Sequence, residues 1–196
     1  GCDVADYNND GLLDIAVLDM IPDENSRQKS MLRSTNYDIF NIRKKLGYHP
    51  QFNRNTLQLN NGLKPDGNLS FSEIGRFANI HYTDWSWSIL FADLNNSGWK
   101  DLFISNGYRR DMQNQDALQG MFDGFNSEKS DSFKKLLDRI YMTPEVYVPN
   151  RFYENMKDLT FSDVSQNWGI KKPTFSSGAS LADFDDDGDL DLVVSN

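Results

Sequence analysis

Asp183-Phe184-Asp185-Asp186-Asp187-Gly188-Asp189-Leu190-Asp191, running straight into Leu192-Val193-Val194, is the stretch on which the reading of this chain turns. Acids stand at alternate positions 1, 3 and 5, a glycine follows, an aspartate closes the string, and a β-prone run begins at once. The string recurs twice upstream, as Asp6-Tyr7-Asn8-Asn9-Asp10-Gly11-Leu12-Leu13-Asp14 and as Asp93-Leu94-Asn95-Asn96-Ser97-Gly98-Trp99-Lys100-Asp101. The shared pattern is D-x-[DN]-x-[DS]-G-x-x-D.

Oxygen-bearing side chains at alternate positions of a tight loop can converge on one Ca²⁺, which takes six to eight oxygens at about 2.3–2.6 Å. Glycine at position 6 supplies the positive φ of the sharp turn. The expected ligands are Asp6, Asn8, Asp10 and Asp14 with the Leu12 carbonyl; Asp93, Asn95, Ser97 and Asp101 with the Trp99 carbonyl; and Asp183, Asp185, Asp187 and Asp191 with the Asp189 carbonyl. Up to three Ca²⁺ are implied. One such string could be a solvated acidic turn, but three in one chain favour metal binding. The 29 acids and 20 bases leave a charge of -9, and the side-chain ligand positions hold nine carboxylates. The excess of acid over base therefore equals the ligand set.

An EF-hand would need a glutamate at position 12 and flanking helices. Val17, Ile104 and Val194 stand there instead, and each loop enters a β-like segment. Calcium-binding nonapeptides of β-helices recur back to back, whereas these loops lie about 90 residues apart.

The similarity extends upstream of the second and third loops. Asn68-Leu-Ser-Phe71-Ser-Glu-Ile74 matches Asp158-Leu-Thr-Phe161-Ser-Asp-Val164, and Thr56-Leu-Gln-Leu-Asn60-Asn61 resembles Arg151-Phe-Tyr-Glu-Asn155. The unit reads as four short strands: one ending in Asn, one centred on Phe, one entering the loop and one leaving it. That is the pattern of a β-propeller blade. Ile39, Ile42 and Leu46, and Phe133, Leu136, Leu137 and Ile140, fall at helical spacing. The expected fold is mainly β, a partial propeller with two helical insertions. Its parts are the end of one blade at 1–20, an insertion at 21–55, a second blade at 56–106, an insertion at 107–149 and a third blade at 150–196. A few blades cannot close a ring, and the chain reads as a piece of a longer protein.

On these loops and the Phe strand, the chain resembles the FG-GAP and VCBS repeat family, which includes the calcium-binding blades of integrin α-subunits. Asp84-Trp85-Ser86-Trp87 leading to Phe91-Ala92-Asp93, with Asp101 to Asp111 after it, is similar to surface proteins of Bacteroidetes-type bacteria that carry ASPIC/UnbV segments. The resemblance implies Ca²⁺ in the blades and a secreted or cell-surface location, an outer-membrane lipoprotein included. It also implies remaining blades of the same protein as partners, with an extracellular protein or glycan beyond them. Ser97 in place of an acid should make the middle site the weakest, and the four carboxylates of the third loop should make it the tightest.

Other residues read as structural. Trp85 and Trp87 are expected to pack between blades, Cys2 to be a buried strand residue, His49 and His81 to be ordinary surface histidines, and Arg109, Arg110 and Asp111 to form ion pairs or caps. Asn68-Leu-Ser is a glycosylation-type triplet of a kind common by chance. No nucleophile elbow, phosphate loop or Cys-His pattern is present, so catalysis has no visible residues. The acidic balance disfavours nucleic acid, one cysteine excludes an internal disulfide framework, and no apolar run reaches the roughly 20 residues of a membrane span. The leading expectation is a non-enzymatic segment for recognition, adhesion or scaffolding. The alternative is an accessory or catalytic component of an extracellular glycan-processing or transport complex.

Overall fold

The computed structural model describes residues 1–31, 37–50, 52–111, 114–116, 118–119, 137–138, 140–141, 143, 145–170 and 172–196. They form two compact units. One comprises Gly1–Ile21, Arg54–Gly107 and Tyr147–Asn196, and the other Pro22–Asn53 and Tyr108–Val146.

The first unit is mainly β, a stack of antiparallel sheets arranged like successive propeller blades. Sheet one is the meander β1 (Cys2–Ala5), β2 (Asp14–Val17), β3 (Thr56–Leu63) and β4 (Leu69–Glu73). Sheet two runs in space through β5 (Ser86–Ala92), β6 (Asp101–Asn106), β9 (Arg151–Asn155) and β10 (Phe161–Asp163). The pair β11 (Gly178–Ala182) and β12 (Asp191–Ser195) forms a third, two-stranded sheet. Each nine-residue string is the connection of a hairpin: β1 to β2, β5 to β6, and β11 to β12.

Packing follows from two-residue alternation in the central strand. All six residues of β6 are buried. Leu102 and Ile104 face sheet one, joining Ala5, Tyr7, Ala16, Leu57, Phe91 and Phe161. Phe103 points the other way, with Phe152 and Val164, against Ala179, Leu192 and Val194 of the third pair. Tyr7 lies between Phe91 and Phe161, its ring centroid 6.0 and 5.5 Å from theirs.

The strand grouping differs from the sequence reading. The repeat in the sequence groups the Asn strand and the Phe strand with the loop that follows them, as in 56–106 and 150–196. In the structure β3 pairs with β2, through registers such as Ala16↔Leu57, and β4 pairs with β3, as in Asn60↔Phe71, so the two complete the sheet begun by the preceding loop. In the same way β9 pairs with β6. The segments between β2 and β3 and between β6 and β9 are thus inserted within blades rather than between them. Antiparallel pairing needs only adjacency in space, so a long insertion separates paired strands at little cost in loop-closure entropy.

Cys2 is a second correction, for it is exposed. Its loop-aligned counterpart Ile89 is 3% exposed because sheet one covers it, whereas among the described residues no sheet packs on the corresponding face of sheet one. Val4, Val17 and Phe71 share that face and are 48, 39 and 38% exposed, while their counterparts Phe91, Ile104 and Phe161 are buried. The tryptophans also differ from expectation. Trp85 precedes β5, Trp87 is 42% exposed with its indole N–H donating to the Gly107 carbonyl at 2.6 Å, and neither belongs to the apolar clusters between sheets.

In the second unit, α1 (Asn25–Met31) precedes α2 (Tyr37–Lys45), and β7 (Tyr108–Arg110) pairs with β8 (Glu145–Val146). Helix α2 carries Ile39 and Ile42. It ends where Gly47 turns left-handed at φ 83° and the Tyr48 N–H donates to the Arg43 carbonyl at 3.1 Å. Residues 115–116, 118–119, 137–138 and 140–141 are helical; Phe133 and Leu136 of the second stripe lie outside the described residues. Arg109 and Arg110 meet Glu145 at 3.0 and 3.3 Å, and Arg27 meets Asp111 at 3.1 Å, the structural role expected of that triplet.

The two-sided burial of β6 predicts the cost of cutting into it. Phe103→Ala should lower unfolding free energy by about 3–5 kcal/mol. Leu63→Ala, at a position 71% exposed, should stay within about 0.5 kcal/mol in the same denaturant titration.

Candidate metal loops

The three strings fold into closely similar loops. The aspartate at position 1 closes each one. Asp6 accepts the N–H of Asp10 at 3.1 Å and of Gly11 at 2.9 Å. Asp93 does the same for Ser97 and Gly98, both at 2.8 Å, and Asp183 for Asp187 and Gly188 at 3.2 and 3.0 Å. Position 3 reinforces this in the first two loops, where Asn8 and Asn95 oxygens accept the N–H of Asp10 and Ser97 at 3.3 and 3.0 Å. Asp10 and Asp187 at position 5 accept the N–H of Leu12 and Asp189 at 2.8 and 2.9 Å.

Glycine at position 6 adopts the left-handed backbone the sequence predicts, with φ of 85, 81 and 94° at Gly11, Gly98 and Gly188. Position 4 does so too, at Asn9, Asn96 and Asp186, with φ of 57, 57 and 59°. Asn and Asp tolerate this region better than other residues with a Cβ. The signal for this second turn in the sequence is Asn or Asp at position 4 in all three copies.

Position 9 is tied most firmly. Asp14 is fully buried and accepts the Tyr7 N–H at 3.4 Å on one oxygen and the Asn60 N–H at 2.8 Å on the other. Asp101, also fully buried, holds Leu94 at 3.3 Å and Asn155 at 2.9 Å. Asp191 accepts the Phe184 N–H at 2.9 Å but is exposed. Burial pushes the Asp14 carboxyl above its ordinary value against the two amides that pull it down, and the charges of Asp10 and Asp6 push it further. Asp101 is raised by burial in the same way, with Glu154 and Asp93 adding to it.

Asn60 and Asn155 complete the arrangement. Their side-chain amides donate to the carbonyls at position 8, Leu13 and Lys100, both at 3.0 Å. Asn155 also donates to the Tyr7 carbonyl of the first loop at 2.9 Å. The sequence marks these asparagines only as the ends of strands.

The donor sets differ in acidity. In the third loop Asp183, Asp185 and Asp187 are exposed, and their ligand oxygens lie within 4.8 Å of one another. Oxygens bound to one Ca²⁺ at about 2.3–2.6 Å are at most about 5 Å apart, so this set fits the ion. Asn8, Asn95 and Ser97 bring neutral oxygens to the corresponding positions in the other loops. Among the histidines, His49 is exposed. His81 is half-buried against Tyr82, and burial together with the Arg76 and Arg54 charges holds its pKa below the ordinary value.

Asp101→Ala removes the acceptor of two amides at a buried junction, and each orphaned group costs about 1–3 kcal/mol. The chain should therefore lose at least about 2 kcal/mol of stability in urea even with chelator present, whereas Ser97→Ala under those conditions should change it by less than about 0.5 kcal/mol.

No curated protein matches this chain. Residues 137–194, which take in β9 to β11, the third loop and most of β12, match the model of the FG-GAP-like repeat family. Over this stretch the chain is similar to an FG-GAP-like repeat.

Proposed function

We propose that the β unit is a calcium-stabilised propeller segment serving recognition, adhesion or scaffolding outside the cell, as a binding module rather than a catalyst. The observation that carries this reading is the convergence of Asp183, Asp185 and Asp187 within 4.8 Å in a loop built like two others. Each loop would hold one Ca²⁺ through the side chains at positions 1, 3, 5 and 9 and the carbonyl at position 7. The oxygens of Asp14 and Asp101 each accept one amide, and a carboxylate oxygen with two lone pairs retains one for an ion. The ion supplies charge neutralisation and rigidity, and its binding energy adds to folding energy.

The open face of sheet one supports the partner reading. Cys2, Val4, Val17 and Phe71 occupy positions whose counterparts are buried between sheets one and two, so a preceding blade of the same protein suits this face. No helix among the described residues is long and apolar enough to cross a membrane.

Saturating one site at a hundred times its Kd adds about 2.7 kcal/mol, or roughly 5–10 °C in melting temperature for a chain of this size. Excess EGTA should lower the melting temperature by at least about that amount. An unchanged melt, with metal absent by elemental analysis, would remove the proposal. In calcium, Asp187→Ala should lower the melting temperature more than Ser97→Ala.

A further inference from the structure

The loops touch one another. Asn9, at position 4 of the first, donates its side-chain N–H to the Gly98 carbonyl of the second at 3.0 Å. Asn96, at position 4 of the second, donates to a carboxylate oxygen of Asp189 in the third at 2.8 Å. The same position of one loop thus grips position 6 or 7 of the next. In the receiving loop that is the peptide beside, or the residue bearing, the position 7 carbonyl expected to ligate the ion. In the donating loop the gripping residue lies between the ligands at positions 3 and 5, so an ion there fixes its backbone.

We infer that Asn9 and Asn96 are latches that couple neighbouring loops, so that an ion in one raises the calcium affinity of the next. This rests on the calcium reading above and adds to it a regulation that the individual ligand sets do not contain. The second loop, with only two carboxylates, receives one latch and provides the other. Its affinity therefore depends on its neighbours more than its own ligands suggest. Coupling is reciprocal, and one hydrogen bond places it near the low end of the usual range, about fivefold.

The glycine amides of Gly11, Gly98 and Gly188 allow each loop to be followed separately by NMR in a calcium titration of the whole chain. Asp10→Ala, at an exposed position, weakens the first loop, and it should raise the calcium midpoint at Gly98 about fivefold. In the Asn9→Gly background, where glycine keeps the left-handed backbone without strain, Asp10→Ala should leave the Gly98 midpoint where it was. A Gly98 midpoint indifferent to Asp10→Ala with Asn9 present overturns the coupling, as does one that still responds after Asn9→Gly. Without calcium, Asn9→Gly should lower the order parameter of the Trp99 amide, and an unchanged value overturns the latch itself. If none of the three glycines responds to calcium, the calcium reading fails and the coupling with it, while the metal-free Trp99 result still reports on the latch.

Discussion

The buried aspartate at the end of each of the first two loops is the constraint on which the β unit depends. Asp14 and Asp101 lie fully buried, and each accepts two amides, one within the loop and one from the strand that pairs next. A single carboxylate thereby fastens the hairpin, the loop between its strands and the third strand of the sheet. Because that strand returns only after an insertion, the contact adds to the strand pairing that joins distant parts of the chain into one blade. It carries a cost, since burial raises the affinity of both carboxyls for a proton. A cation among the neighbouring oxygens would offset that cost, and the proposed metal would then act on the sheet as well as on the loop.

Stacking follows from the same hairpins. β6 presents Leu102 and Ile104 to one neighbour and Phe103 to the other, so the middle sheet is covered on both faces and its strand tolerates no solvent side. Among the described residues another sheet covers only one face of sheet one, which leaves Phe71 and Val17 partly in solvent although their counterparts Phe161 and Ile104 are core. Equivalent residues in a stacked repeat take their burial from the neighbouring repeat, as nearest-neighbour energetics requires.

The repeat seen in the sequence and the blade seen in space are offset by two strands. The stretch that matches the FG-GAP-like repeat takes β9 and β10 from the second sheet and β11 and β12 from the third. Each repeat therefore closes one sheet and opens the next, so that consecutive sheets are joined by continuous chain as well as by apolar contact. The asparagines fit this design. Asn155, in the strand that closes the second sheet, donates both to the loop of its own sheet and to the loop of the sheet before it.

The sequence by itself determined the local features: the three loops, the left-handed glycine in each, the β character of the flanking segments and helix α2. All of these depend on residues a few positions apart, where spacing and backbone preference suffice. Tertiary structure alone decided which sheet Asn60, Phe71, Asn155 and Phe161 join, because antiparallel pairing is chosen by adjacency in space and not by order along the chain. It also decided that Cys2 is exposed while Ile89 is buried, and that Asn9 and Asn96 reach across to the next loop. Burial and hydrogen-bond partners are properties of whatever lies opposite, and in a stack of repeats what lies opposite is about 90 residues away.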